Sequence, residues 1–107
     1  MKRARTREEI LSVLRQEMPY LKDRFGVDRL AVYGSFAKNT QAEESDVDIL
    51  VQLSKPLGLD FVRLAYHLEE TLGREVDITT FESLKRSAAN PRREHIVRDI
   101  ERTLIHV

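Results

Sequence analysis

The chain has 107 residues, and its 18 basic and 18 acidic side chains leave no formal net charge, which argues against a strongly basic nucleic-acid-binding protein. It contains no cysteine, which excludes disulfides and thiolate metal sites and suits the reducing cytoplasm. No apolar run approaches the roughly 20 residues that span a bilayer, and none follows the basic N-terminal segment as a signal peptide requires. We therefore expect one cytoplasmic domain over residues 1–107, with neither a membrane segment nor a direct nucleic-acid partner.

A first helix is predicted to begin after Thr6, because Thr6 and Glu9 match the capping-box pattern. Apolar residues then recur at steps of three and four, as on one face of a helix: Leu11, Leu14, Met18, Leu21 and Phe25. Gly26 is a typical helix stop. Pro19 falls inside this pattern, so we expect either a kink or two short helices, the second beginning at Pro19.

The next stretch predicts two strands joined by a turn and a loop. Arg29–Tyr33 is a short apolar run that ends at the turn residues Gly34 and Ser35. Residues 38–45 are polar and are predicted to form a loop. Asp46–Leu53, with the sequence DVDILVQL, has the strongest strand character in the chain.

The C-terminal half predicts a helix, a strand and a final helix. Leu57 to Leu72 has helical apolar spacing and ends at Gly73, and Glu75–Thr79 alternates as a third strand. Asn90 and Pro91 match the start of a last helix, which would bury Ile96, Ile100 and Leu104. The order α–β–β–α–β–α indicates an α+β fold, a small mixed sheet flanked by helices.

Two aspartates interrupt the best strand. Asp46 and Asp48 are two residues apart, so their side chains project from one face and repel each other. A divalent cation between them would remove this repulsion, and Mg²⁺ prefers such hard oxygen ligands. Asp77 lies in the third strand and could join them if the two strands pair, which would suit a two-metal transfer site. The alternative is that these aspartates are solvated strand-edge or capping residues.

The Gly34-Ser35 turn is a candidate phosphate site. Gly34 allows close approach of the backbone to a ligand, and a short helix beginning near Ser35 would present free N–H groups to an anion. The alternative is a simple tight turn between a strand and a helix. Tyr33 and Phe36, on either side of the turn, are expected to belong to the core.

The remaining candidates carry weaker signals. The three histidines are far apart in sequence, and His67 is expected at the surface or facing a partner. Arg92, Arg93 and Arg98 place positive charge on the last helix. We interpret this charge as a solvated face, with a partner-binding or nucleotide-binding role left open.

Taken together, Gly34-Ser35, the Asp46-x-Asp48 motif in "SDVDILV" and Asp77 in "EVDI" resemble the polymerase β-like nucleotidyltransferase superfamily. The sequence is most similar to the minimal nucleotidyltransferases of bacteria and archaea, over nearly its whole length. This resemblance implies ATP as substrate and two Mg²⁺ ions. The implied metal-binding and catalytic residues are Asp46, Asp48 and Asp77, and the implied nucleotide-binding residues are Gly34, Ser35, Lys38 and Ser45.

The resemblance also implies a protein partner. Minimal nucleotidyltransferases are often encoded beside a HEPN-domain RNase toxin, which they neutralise by transferring AMP from ATP onto a tyrosine of the toxin. One alternative is an antitoxin that only binds and occludes its HEPN partner, with a weak or vestigial active site. Transfer to a small molecule is a further alternative, although we expect the chain to be too short to carry its own acceptor-binding domain.

Lys38 and Asn39 depart from the pattern of the family, which usually reads Gly-Ser-x-Ala-Arg-Gly. Lys38 keeps a positive charge but lacks the two-pronged hydrogen bonding of arginine. Asn39 is among the residues that best tolerate a left-handed backbone, so we expect the turn to be preserved. The departure therefore concerns nucleotide affinity or rate more than the existence of the site.

Overall fold

A computed structural model describes residues 3–107 as a four-stranded mixed sheet with helices on both faces. The strand order is β3-β2-β1-β4. The elements are α1 (Arg7–Phe25), β1 (Val27–Tyr33), α2 (Gly34–Lys38), β2 (Val47–Leu53), α3 (Asp60–Leu72), β3 (Val76–Thr80), α4 (Phe81–Ala88), α5 (Glu94–Thr103) and β4 (Ile105–His106). The predicted mixed sheet flanked by helices is confirmed. Within residues 3–107, no helix combines the length and the apolar character that crossing a membrane requires.

The central strand β2 separates two hydrophobic cores. Val47, Ile49 and Val51 are fully buried in the larger core, which β2 shares with α1 and α3. Leu50, of opposite parity, packs in the smaller core with residues of α4 and α5. Each fully buried side chain of this size contributes about 1.5–3 kcal/mol, so β2 is held firmly by its apolar residues. Asp48 has the parity of Leu50 and therefore lies on the face of the smaller core.

Helix α1 begins and ends as the sequence predicts. The Thr6 hydroxyl accepts a hydrogen bond from the Glu9 amide (3.1 Å), and Gly26 ends the helix in the left-handed region at φ 70°. The prediction of two helices divided at Pro19 is wrong, because α1 runs unbroken from Arg7 to Phe25. Pro19 is exposed, and it removes one hydrogen bond from the helix. The buried leucines on the opposite face of α1 pack into the core and keep the helix continuous at this position.

The C-terminal part contains two elements that the sequence analysis missed. Helix α4 follows β3 directly, and the Thr80 hydroxyl caps it by accepting from the Ser83 amide (3.0 Å). Its eight residues include only two buried side chains, Phe81 and Leu84, which is too short a pattern to detect by periodicity. The two-residue strand β4 pairs with β1 at the edge of the sheet, with His106 opposite Ala31.

The start of the last helix also differs from the prediction. Asn90 does not cap α5: its side chain accepts from the Arg92 amide (3.0 Å) within a turn, and the helix begins at Glu94. Val97 is the buried residue of this helix, whereas Ile96 is 51% exposed, contrary to the prediction. Ile100 and Leu104 pack against the smaller core as predicted. The turn after Pro91 shifts the start of the helix to Glu94. Packing against the smaller core therefore decides which face of the helix meets the sheet.

Replacing Pro19 with alanine should stabilise the protein, because the Arg15 carbonyl would recover its helical hydrogen-bond donor. We expect the free energy of unfolding to rise by about 1–3 kcal/mol, less a part lost because alanine leaves the unfolded chain more flexible. Urea denaturation measures the change. Gln16→Ala, also exposed on α1, is the control and should alter stability by less than about 0.5 kcal/mol. An unchanged or lower stability of Pro19→Ala would contradict this account of α1.

Candidate active site

Three side chains lie in a row across three neighbouring strands. Tyr33 at the end of β1 pairs with Asp48 of antiparallel β2, and Asp48 pairs with Asp77 of parallel β3. Directly paired residues place their side chains on one face of a sheet. The predicted pairing of the third strand beside the second is therefore confirmed, and it brings Asp48 and Asp77 together. Asp46 precedes β2 by one residue, two positions before Asp48.

The position of Asp48 in this row disturbs the ionisation of its carboxyl group. Burial raises the pKa of Asp48 to about 6, with further contributions from the negative charges of Asp77 and Asp46. Asp46 and Asp77 are themselves exposed, so the cluster opens to solvent at this end of the sheet. A bound cation would counter the repulsion that keeps a proton on Asp48.

The carboxylate row fits a magnesium site that is completed by its substrate. Within residues 3–107, no group of three or more histidine, cysteine, aspartate or glutamate side chains is arranged to hold a metal ion, so Asp46, Asp48 and Asp77 do not form a preassembled three-carboxylate site. Mg²⁺ usually takes one or two carboxylates from the protein and fills its other positions with waters and phosphate oxygens. An open pair such as Asp48 and Asp77, whose charges already interact, has the donor chemistry that this arrangement needs.

Gly34 touches the same carboxylate. Its φ of 72° lies in the left-handed region, and a Cβ at this position would overlap Asp48 Oδ2 and lie 3.1 Å from Asp48 Cγ. Any side chain at residue 34 would therefore displace Asp48 as well as strain the backbone. The turn and the first carboxylate motif, 14 residues apart in sequence, are thus in direct contact in the fold.

The predicted short helix after the turn is present as α2. No side chain caps its first turn, while Phe36 and Ala37 anchor it in the core. Asn39 ends it in the left-handed region at φ 59°, as expected, and donates its amide to the Phe36 carbonyl (3.2 Å). The predicted core position is confirmed for Phe36, which is fully buried, whereas Tyr33 is half-buried beside the carboxylates.

Lys38 and Ser45 are occupied by other contacts. Lys38 Nζ donates to Asp99 Oδ2 of α5 (2.7 Å), and both side chains are exposed. The Ser45 hydroxyl accepts from the Ala42 amide (2.8 Å) and so closes a turn in the loop before β2. These contacts link Lys38 to α5 and Ser45 to the loop before β2.

Tyr33 and Arg74 are two site residues that the sequence analysis did not find. Burial raises the pKa of Tyr33, with Asp48 and Asp77 adding to the rise against a hydrogen bond from Thr79. Tyr33 could have been found only by knowing the register of the strands. Arg74 is 6% exposed, although an arginine after a helix-ending glycine is typical of a surface position. No local pattern signals its burial.

The remaining candidates have structural surroundings of their own. His67 is half-buried rather than on an open surface, and its Nε2 lies 2.5 Å from Glu17 Oε1 of α1. Arg92 and Arg93 are exposed, but they lie in the turn before α5 and not on the last helix as predicted. Arg98 lies on α5 and pairs with Glu94 on its exposed face. The exposure of the three arginines agrees with the expected solvated surface.

A cavity of about 690 Å³ lies beside Asp46, between the end of α3 and the loop before β2. Its lining includes Tyr66, Glu69 and Arg74 but neither Asp48 nor Asp77. The carboxylate row therefore does not open into this cavity, and we place the candidate site at the row and the Gly34-Ser35 turn.

The sequence also matches a known family. The model of the nucleotidyltransferase domain family matches residues 14–106, a span that includes the turn and all three aspartates. The chain belongs to the nucleotidyltransferase domain family. It is a nucleotidyltransferase.

Two archaeal relatives cover most of this nucleotidyltransferase. MJ1379 of Methanocaldococcus jannaschii, provisionally named a protein adenylyltransferase, is 37% identical over 106 residues, covering 96% of this chain and 99% of the relative. MntA of Thermococcus cleftensis, named a protein adenylyltransferase, is 42% identical over 85 residues, covering 78% of this chain and 86% of MntA.

Solved structures share the fold. A provisionally named minimal nucleotidyltransferase superposes with a TM-score of 0.69 at 32% identity, over 94% of this chain and 95% of that one. A chain from a toxin–antitoxin complex with AMP-PNP gives a TM-score of 0.59 at 21% identity, over 94% of this chain and 70% of that one. The second likeness concerns the fold alone.

Gly34→Ala should destabilise the protein more than Gly58→Ala does. Both glycines have positive φ, so each alanine adds backbone strain of about 1–2 kcal/mol, but a Cβ at Gly58 meets no atom within 4 Å. The excess cost at Gly34 comes from the displaced Asp48 carboxylate, and urea denaturation of both variants measures it. In an Asp48→Ala background the two glycine substitutions should cost the same. An excess that survives without the Asp48 carboxylate would contradict the contact.

The metal-free protein should lose stability as the pH rises from about 4 to 7. The pKa of Asp48 is raised by folding, so its proton is held in the folded state and must be released, at a cost, as the pH passes through about 6. Asp48→Asn should remove this loss and be more stable than the wild type at pH 7, measured by urea denaturation in a chelating buffer.

Asp99→Asn is the control, and its effect on stability at pH 7 should have the opposite sign to that of Asp48→Asn. The hydrogen bonds from Lys38 and Arg102 lower the pKa of Asp99, so its contribution is present at neutral pH and is lost in acid. This variant should be slightly less stable than the wild type at pH 7. A gain of stability from both substitutions would indicate a general effect of lowering negative charge.

Proposed function

We propose that this nucleotidyltransferase transfers AMP from Mg-ATP to a tyrosine hydroxyl of a HEPN-domain RNase toxin and so acts as an antitoxin in the cytoplasm. The observation that carries the proposal is the contact of Asp48 with the Gly34 turn while Asp77 faces it across β2 and β3. The 42% identity to a protein adenylyltransferase, MntA, supports protein as the acceptor. The family resemblance of the motifs supports the HEPN partner.

Each candidate residue takes a role in this proposal. Asp46 and Asp48 would hold magnesium, with two ions expected, and Asp77 would complete the carboxylate set as a ligand or as the base that accepts the hydroxyl proton. Magnesium held there would supply charge neutralisation at the triphosphate and would lower the pKa of the attacking hydroxyl. The Gly34 and Ser35 backbone orients the triphosphate, with the Ser45 loop alongside, so that the tyrosine oxygen attacks the α-phosphorus in line and pyrophosphate leaves.

Lys38 has a conditional role. It would have to leave Asp99 to reach a phosphate, and because both side chains are exposed this exchange costs little. A bound triphosphate carries more negative charge than one carboxylate, so it would compete with Asp99 for the ammonium group. We therefore assign Lys38 a phosphate contact only when the nucleotide is bound.

Binding without catalysis is the second candidate function. The pairing of Lys38 with Asp99 favours this function. Residues 38 and 39 depart from the family pattern, and the pairing gives this departure a structural role instead of a nucleotide contact. In that case the domain would neutralise its HEPN partner by occlusion. The raised pKa of Asp48 argues for catalysis, since a binding module gains nothing from mutually repelling carboxylates.

Asp48→Asn should abolish transfer of AMP without unfolding the protein, because it removes one charge from the proposed magnesium site. The test incubates the HEPN toxin with ATP, magnesium and either protein, and mass spectrometry counts the AMP units gained by the toxin. Asp28→Asn, an exposed change at the far end of β1, is the matched control and should retain full transfer. Transfer by Asp48→Asn at the wild-type rate would refute the assigned role.

Rescue of toxin-expressing cells separates catalysis from occlusion. The double variant Asp46→Ala/Asp48→Ala should fail to restore growth while still forming the complex, as measured by co-purification. Rescue by the double variant at normal expression would instead favour occlusion.

A further inference from the structure

Arg74 is a buried arginine outside the described carboxylate row. It lies between the Gly73 stop of α3 and the start of β3, and only 6% of its surface is exposed. No carboxylate forms an ion pair with it in the part of the chain that the structure describes. A buried charge without a counter-ion is costly, so its hydrogen bonds must provide the compensation.

Among residues 3–107, the Arg74 guanidinium donates hydrogen bonds only to backbone carbonyls. Nε donates to the Ala4 carbonyl (2.5 Å), and Nη1 donates to the carbonyls of Glu43 (2.6 Å) and Ser45 (3.0 Å). Two of these acceptors belong to the loop that leads into β2. The third belongs to the segment before α1, whose Ala4 amide in turn donates to the Leu72 carbonyl (3.0 Å).

Arg74 also contacts the other half of the candidate site. Its guanidinium carbon lies 5.1 Å from the ring centroid of Phe36, the buried residue that follows Ser35 in α2. One side chain therefore packs against the helix behind the Gly34-Ser35 turn and binds the residue immediately before Asp46. The turn and the carboxylate motif are 11 to 14 residues apart along a polar loop, and Arg74 contacts both sides of that loop.

We propose that Arg74 is a positioning residue: it holds the Ser45–Asp46 backbone against α2, so that the carboxylates and the Gly-Ser turn keep the spacing that Mg-ATP requires. The proposal rests on the proposed function. The planar guanidinium group of Arg74 suits this role, because its Nε and Nη1 atoms reach three carbonyls in different directions from one rigid group. A lysine in the same place would offer a single nitrogen.

The test uses Arg74→Lys, Arg74→Ala and the matched control Arg15→Ala, an exposed arginine of α1. Binding of Mg-ATP is measured by calorimetry below the melting temperature of each variant. We expect the affinity for Mg-ATP to fall about 10- to 100-fold in both Arg74 variants, equivalent to about 1.4–2.8 kcal/mol, because the carboxylates and the turn would no longer be held at the spacing that the ligand requires. The control should bind as the wild type does.

Two further measurements separate positioning from general stability. Hydrogen–deuterium exchange should show faster exchange over residues 40–46 in the Arg74 variants, with the amides of α3 unchanged. Ethylguanidinium should partly restore Mg-ATP binding to Arg74→Ala, whereas ethylammonium should not. If Arg74→Ala does not fold, Arg74→Lys carries the binding and exchange measurements by itself.

The outcomes distinguish this inference from the function on which it rests. A wild-type protein that binds no Mg-ATP overturns the proposed function and this role together. Wild-type binding with unchanged affinity in the folded Arg74 variants overturns the role of Arg74 alone. Uniformly faster exchange across the whole chain also overturns it, because that result describes a loss of global stability.

Discussion

The pairing of Asp48 with Asp77 across the parallel strands β2 and β3 is the constraint that organises this molecule. It places two like charges side by side on one face of a sheet, where the pKa of Asp48 rises to about 6. Such an arrangement survives only because the alternate residues of β2 are apolar and buried. Val47, Ile49 and Val51 bind the strand to the larger core, and their burial outweighs the repulsion on the other face.

The phosphate-turn candidate depends on the same carboxylate. Gly34 is in contact with Asp48, so the turn cannot accept a side chain without moving the aspartate. Phe36 fixes the far side of α2 in the core, which leaves little freedom for the turn. The contact explains how two short motifs, separated by a polar loop, form one site in a chain of this size.

Arg74 contacts the loop between these two motifs through hydrogen bonds to its backbone carbonyls. Its three carbonyl contacts and its packing against Phe36 bring together four segments, from Ala4 to the start of β3. Nucleotidyl transfer is mostly a matter of positioning, since the substrate supplies the reactive bond and the protein supplies geometry and charge. A rigid support beneath an open, exposed carboxylate row is consistent with that requirement.

Local chemistry in the sequence determined much of the fold and the composition of the candidate site. Helix α1 is capped at Thr6 and ends at Gly26, β2 follows its apolar alternation, and Asn39 takes the left-handed backbone, because each depends on residues within a few positions.

Only the tertiary structure decided the rest. Packing kept α1 continuous through Pro19, exposed Ile96, and formed α4 from a pattern too short to detect. Strand register placed Tyr33 beside the carboxylates, and the burial of Arg74 followed from segments distant in sequence meeting at one point. Such contacts are absent from the local pattern because they exist only once the sheet has assembled.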